Sequence, residues 1–279
     1  MPRVGHISFL NCMPLLWGLT KTGGRADVDL IRASPDVLNT ALAEGRLDIS
    51  AISVFEFLKH ADDLVVLPGI AVGSARDVGS CLIFSKVPLD QLNGARVALG
   101  STSRTSVRLA QLLLAERIGV SPDYHVAPPD LGAMLADAEA AVVIGDPALR
   151  AAVQGTARLG LHVYDLAGMW RDWTGLPFVF AVYAARRTFL AREPGTVHRV
   201  HQALLEARDL SLQEIGLICE QAAEDVGLDA RTLTGYYVDN LDFSFGPRQL
   251  GAVVEFARRV GGPGAGFPQD VEIDVLPPR

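Results

Sequence analysis

Apolar positions in the first third of the chain come in short runs, alternately at strand and helix spacing. Val4, Ile7 and Phe9 mark a strand over residues 3–9 (RVGHISF), and a turn at Leu10–Pro14 leads into a short helix, Leu15–Thr20. Val28–Arg32 is a second strand. Ser34, Pro35 and Gly45 then supply a cap, a first helical position and a stop for a helix. Leu47–Ile52 is a third strand ending in Ser53. A helix carrying Phe55, Phe57 and Leu58 follows, and Leu64–Val72 is a further apolar strand. Strands that alternate with helices through short loops predict a parallel sheet covered by helices.

Gly79–Phe84 reads as a strand leaving this unit, and a second α/β series begins at Arg96. It comprises a strand Arg96–Leu99, a helix from about Ser103 to Arg117 stopped by Gly119, a strand near His125, a short helix from Asp130, a strand Ala140–Ile144 and a helix after Asp146. Phe178–Ala185 (FVFAVYAA) is a long apolar strand that returns the chain to the first unit. Helices are expected over Thr196–Leu210, Ser211–Val226, Ala230–Val238 (capped by Asp229) and Pro247–Val260, followed by a loop-like tail. The pattern predicts an α/β fold of two lobes joined by two crossover strands. Lobe 1 comprises residues 1–78 and 184–279, and lobe 2 residues 79–183. One continuous doubly wound sheet is the competing arrangement. In a two-lobed α/β layout a ligand is expected at the carboxyl ends of strands, where helices begin.

Composition narrows the function classes. Of the 279 residues, 49% are hydrophobic and 20% charged, enough to bury a core. A net charge of −7 argues against a broad nucleic-acid or anionic-membrane surface, so an anionic ligand must be held by local groups. No apolar run reaches the ~20 residues of a membrane helix. The N-terminal MPRVGHISFLNCMPLL is broken by Ser8, Asn11 and Pro14 and reads as strand and turn, so a cytoplasmic location is expected. Cys12, Cys81 and Cys219 are far apart and form no CxxC pair, which predicts neither a disulfide framework nor a zinc site. His198 and His201 share one helix without a carboxylate to complete a metal motif, and no metal or organic cofactor is expected. Neither a nucleophile elbow nor a dinucleotide fingerprint occurs.

The most informative segment is Gly100-Ser101-Thr102-Ser103-Arg104-Thr105-Ser106, between a strand and a long helix. Five hydroxyls and the Arg104 guanidinium surround backbone N–H groups that carry about half a positive charge between them. Thr102 or Ser103 alone would suffice as a cap. The surplus of donors points to an anion, and the absence of a P-loop lysine favours carboxylate over nucleotide. Asn11, Ser53, and Ser80 with Cys81 also stand at strand ends. Asn11 reads equally as a turn residue before Pro14, and Ser80 as a buried hydroxyl bonded to backbone. Asp146 is a cap for the helix at Pro147 or a carboxylate facing the ligand. Trp173–Phe178, with Leu176, forms an apolar wall for a ring or a plain hydrophobic turn.

Taken together, VGHISFLNCMPLLWGL, LDISAISVFEFL, GSCLIFSKVPL, GSTSRTSVRLAQLLL, VVIGDPAL and DWTGLPFVFAVYA resemble the successive motifs of the chorismate dehydratases, the first enzymes of the futalosine route to menaquinone. The resemblance runs from about residue 3 to residue 185 and continues weakly through the helical C-terminal part. It implies a type 2 periplasmic-binding-protein fold without secretion, chorismate as small-molecule substrate, and loss of water to give 3-[(1-carboxyvinyl)oxy]benzoate. It also implies that Asn11 and Ser80 occupy the family's active-site positions and that the hydroxyl-rich helix start holds a substrate carboxylate. It implies no nucleic-acid or membrane partner and is silent on protein partners. A sister family, 1,4-dihydroxy-6-naphthoate synthase, carries a histidine-glutamate pair where this chain has Gly145-Asp146, a departure that favours the dehydratase. The proton to be removed is vinylogous to the ring carboxylate, so oriented donors matter more than a strong base. The base is the substrate's own enolpyruvyl carboxylate, the preferred option, or Asp146. The rivals from other classes are a non-catalytic solute receptor and an effector-sensing domain. The latter would need a helix-turn-helix, for which residues 1–10 leave no room.

Overall fold

The structure is a computed structural model and describes residues 1–24, 27–154 and 160–278. The chain divides into two compact units, Met1–Gly73 with Val179–Arg279, and Ser74–Phe178. In chain order the first unit opens with β1 (Arg3–Ile7), α1 (Met13–Lys21), β2 (Asp29–Ala33), α2 (Pro35–Ala43), β3 (Ile49–Ser53), α3 (Val54–Lys59) and β4 (Leu64–Ser74). The second unit holds β5 (Cys81–Ser85), β6 (Arg96–Gly100), α4 (Thr105–Leu112), β7 (Asp123–Ala127), α5 (Leu131–Asp137), β8 (Ala140–Ile144), α6 (Gly145–Val153), β9 (His162–Asp165) and α7 (Leu166–Thr174). The chain returns through β10 (Phe178–Arg186) to α8 (Arg187–Arg192), α9 (Pro194–Gln213), α10 (Ile215–Val226), α11 (Ala230–Gly235) and α12 (Pro247–Val260). Two separate five-stranded sheets replace the single continuous sheet that was the competing arrangement.

In unit 1 the sheet order is β2-β1-β3-β10-β4. β1 lies parallel to both β2 and β3, and β10 runs antiparallel to β3. The inner strands β3 and β10 are buried almost throughout, as strands covered on both faces are. Gly18 of α1 meets α9 so closely that a Cβ would lie 1.9 Å from the Ala207 carbonyl oxygen, so only glycine fits. The tail expected to be loop has a structural task. Its Asp274 carbonyl accepts from the Val66 N–H and its Leu276 N–H donates to the Val66 carbonyl, while Phe243 and Phe245, before α12, pair further along β4, so this edge strand is not left open.

In unit 2 the order is β7-β6-β8-β5-β9, with β6 parallel to β7 and β8, and β5 antiparallel to β8 and β9. Leu82, Phe84, Ala98, Met134, Ala141 and Val143 form the core of one face. Some elements differ from the sequence reading. α4 begins at Thr105 rather than Ser103 and continues as a wide turn over Leu113–Ile118, ended by Gly119 at φ +84°. α9 runs on to Gln213, past the expected break at Ser211. β9 and α7 were not expected, because HVYD is short and largely exposed and offers no alternation to detect.

Candidate active site

The strand directions in unit 2 assemble one donor-rich edge. Because β5 runs antiparallel to β8, its first residue Cys81 pairs with Ile144, the last of β8. β6 is parallel to β8, so its carboxyl end lies at the same edge. Ser80–Cys81, Gly100–Ser106 and Gly145–Asp146 therefore come together, as the rule for parallel strand ends requires. Gly145, at φ +67°, donates its N–H to the Ser80 carbonyl at 2.7 Å.

The Cys81 thiol sits at the centre of this edge. Burial pushes it up to about 12, while the Ser106 hydroxyl, the Gly145 N–H and the Ser80 hydroxyl pull in the other direction. At neutral pH it is therefore protonated. Ser80, Thr105 and Ser106 are buried, Thr102 and Ser103 half-buried, and Ser101 and Arg104 exposed. The Ser101 N–H donates to the Ala127 carbonyl at 2.9 Å. Arg104 is the cap residue of α4 and makes no side-chain cap bond, and the N–H groups of the first turn give this end of the helix its positive character.

Asp146 does not cap α6. The cap position is Ile144, without a side-chain bond, and the half-buried Asp146 lies inside the first turn. Of the segment Trp173–Phe178, only Pro177 and Phe178 are buried, while Trp173, Thr174 and Leu176 are half-buried and Gly175 is exposed. Trp170 is fully buried, packs edge-on against Trp173 and Phe178, and donates its Nε1–H to the Pro177 carbonyl at 3.0 Å. Leu176 is half-buried in the turn after α7, its N–H on the Thr174 hydroxyl at 3.2 Å.

In unit 1 the strand ends carry Asn11 and Ser53. Asn11 lies in a tight turn, Leu10–Cys12, after β1, held from behind by the Tyr237 hydroxyl, which donates to the Leu10 carbonyl at 2.9 Å. The Asn11 Oδ1 is buried without a hydrogen-bond partner. Such an atom costs about 1–3 kcal/mol unless something donates to it. Ser53 is engaged: its N–H donates to Asn39 Oδ1 and its hydroxyl accepts from Asn39 Nδ2, each at 3.0 Å, both side chains being buried.

Sequence reasoning missed three partners here. His6, 1% exposed on β1, meets the Tyr183 hydroxyl through Nδ1 at 3.2 Å. Burial, aided by the Arg32 charge and partly opposed by the Cys12 backbone, lowers His6 to about 4, so the ring is neutral at pH 7. Burial likewise pushes Tyr183 well above the ordinary phenol range. The third is Asp165, whose carboxylate caps α7 through the Ala167 and Gly168 N–H groups and also accepts from Gly79. The three cysteines are buried and none is in a disulfide. Among the described residues no group of three metal-ligating side chains is gathered, and no helix is long and apolar enough to cross a membrane.

Two α/β units, the second inserted between the two segments of the first, with polar residues at the strand ends, define the periplasmic-binding-protein fold. The periplasmic aliphatic sulphonate-binding protein of Escherichia coli has the same fold at a TM-score of 0.66, covering 100% of this chain and 94% of that one at 18% identity. Within that class, the sequence model of the menaquinone biosynthesis family matches residues 2–261, and the chain belongs to this family. A chorismate dehydratase of Thermus thermophilus is 35% identical over 84% of this chain and 86% of its own length. A 1,4-dihydroxy-6-naphtoate synthase of the same organism is 30% identical, over 54% of this chain and 53% of its own.

Proposed function

We propose that this protein is a chorismate dehydratase, a hydro-lyase that converts chorismate to 3-[(1-carboxyvinyl)oxy]benzoate in menaquinone biosynthesis. The observation that carries this reading is the 35% identity to the Thermus dehydratase, sustained over 84% of the chain, where the match to the synthase spans about half. The donor-rich edge of unit 2 supports it chemically. Chorismate carries two carboxylates, and removal of the proton beside the enolpyruvyl ether sends negative charge toward the ring carboxylate. Backbone N–H groups at the start of α4, with Ser106 and Thr105 beside them, would stabilise that charge more in the transition state than in the ground state.

Ser80 and Asn11 are the residues proposed to act on the reacting groups, by orienting them and assisting departure of the hydroxyl as water. The proton goes to the substrate's own enolpyruvyl carboxylate, with Asp146 as the second candidate base. The reaction is redox-neutral: a C–H and a C–O bond break, the ring becomes aromatic and one water leaves. The same proposal places the protein in the cytoplasm.

Incubation of the purified protein with chorismate tests the reading. Loss of the diene absorbance, with a benzoate lighter than chorismate by one water, is the expected result. Folded protein that leaves chorismate unchanged overturns it. Release of a dihydroxynaphthoate from a cyclic futalosine derivative would assign the chain to the sister activity instead.

A further inference from the structure

Asp165 ends β9, and its carboxylate divides between two tasks. Oδ1 accepts from the Ala167 and Gly168 N–H groups at 2.9 and 3.0 Å, an ordinary cap for α7. Oδ2 accepts from the Gly79 N–H at 2.7 Å, across 86 positions of sequence, and the Val78 N–H is directed at the same carboxylate. A cap needs one oxygen, so the second is committed to the turn that delivers Ser80. Gly79 is at φ +71°, a conformation that favours glycine, and the next residue's carbonyl is held from the other side by the Gly145 N–H at 2.7 Å. The packing under this turn is tight: a Cβ on Gly168 would lie 2.2 Å from Asp77 Oδ1.

We infer that Asp165 is a positioning residue for Ser80, fixing the backbone from which the Ser80 hydroxyl is presented. The inference rests on the reading of Ser80 as a group that acts on substrate. Ser80 is buried, so its hydroxyl has little freedom to compensate for a shifted backbone, and displacement by about 1 Å in a reacting constellation costs on the order of a hundredfold in rate.

The test is a double-mutant cycle on the full chain, with kcat and KM for chorismate measured separately. Asp165→Asn presents an NH2 group to one of the backbone donors. Asp165→Ser keeps a cap hydroxyl for α7 but is too short to reach Gly79, so it separates the two tasks. Both variants are expected to lower kcat about 10- to 100-fold with KM changed less than about threefold. In a Ser80→Ala background the same changes are expected to cost less than about twofold, because the group they position is gone. Full kcat in either folded variant overturns the inference. So does an undiminished loss in the Ser80→Ala background, which marks a merely structural role. Full activity of Ser80→Ala alone would instead sink the reading of Ser80, a result distinct from both.

Discussion

The two sheets end differently at their functional edges. In unit 2, the Ser80 and Ser106 hydroxyls and the Gly145 N–H surround a thiol that burial keeps protonated near neutral pH, beside the N-terminus of α4, whose cap residue Arg104 makes no side-chain cap bond. In unit 1, Ser53 is bonded to Asn39 and His6 to Tyr183, both in buried pairs, while Asn11 keeps a buried carbonyl oxygen unused. One edge gathers donors, which suits an acid group or developing negative charge. The other holds two bonded pairs, with Asn11 Oδ1 and His6 Nε2 buried and without hydrogen-bond partners. Polar residues at strand ends are alike in sequence, and only the fold shows which of them gather round one point and which are bonded in separate pairs.

The sharpest way to break this contrast is to remove one hydroxyl from each edge. Ser80→Ala is expected to lower kcat by about 10²–10³, the usual loss for an oriented catalytic donor, with the melting temperature nearly unchanged. Ser53→Ala is expected to keep most activity per folded molecule and to lose stability. Steady-state kinetics beside thermal melts read both, and similar kinetic losses in the two variants would dissolve the distinction.

Acid should act on the scaffold edge next. His6 is held to about 4 when folded against about 6.5 when unfolded, so between these values the unfolded chain takes up a proton that the folded chain refuses. Its contribution is therefore complete above pH 6.5, falls as pH drops toward 4 and is flat below, to a total of about 3 kcal/mol. Glu255, lowered to about 2 by Arg258 and Arg259, adds losses only below about pH 4.5. Urea unfolding at a series of pH values should show the His6 slope in wild type and lose it in His6→Gln. An identical slope in both would contradict the assignment.

A smaller effect is expected from Asn39→Leu, which leaves the Ser53 N–H buried and unpaired. About 2 kcal/mol should be lost in denaturant unfolding, and Ser53→Ala on top of it should cost clearly less than it does alone. Additive losses would show that the two side chains do not act as a pair.

Most of the fold could be read from local pattern. The apolar runs of β3, β4 and β10, and the helix α2 with Pro35 at its start, needed only neighbours a few positions away. β9 and α7 escaped because HVYD is too short and exposed to alternate, although Asp165 and Gly175 stand at the two ends of α7 as cap signals. The hydroxyl-rich segment was legible for the same local reason, since a surplus of caps shows in seven residues. The braces were not. Asn39 lies 14 residues from Ser53, Asp165 86 from Gly79 and Tyr183 177 from His6, distances over which composition and periodicity carry no pairing information.

Chorismate deuterated at the ring carbon bearing the enolpyruvyl ether offers the most direct test of the chemistry as a whole. Mass spectrometry after incubation with wild-type protein should find a benzoate that has lost the deuterium together with the elements of water, formed more slowly than from unlabelled substrate if proton removal limits the rate. Chorismate recovered intact, or a product that still carries the label, would contradict the account.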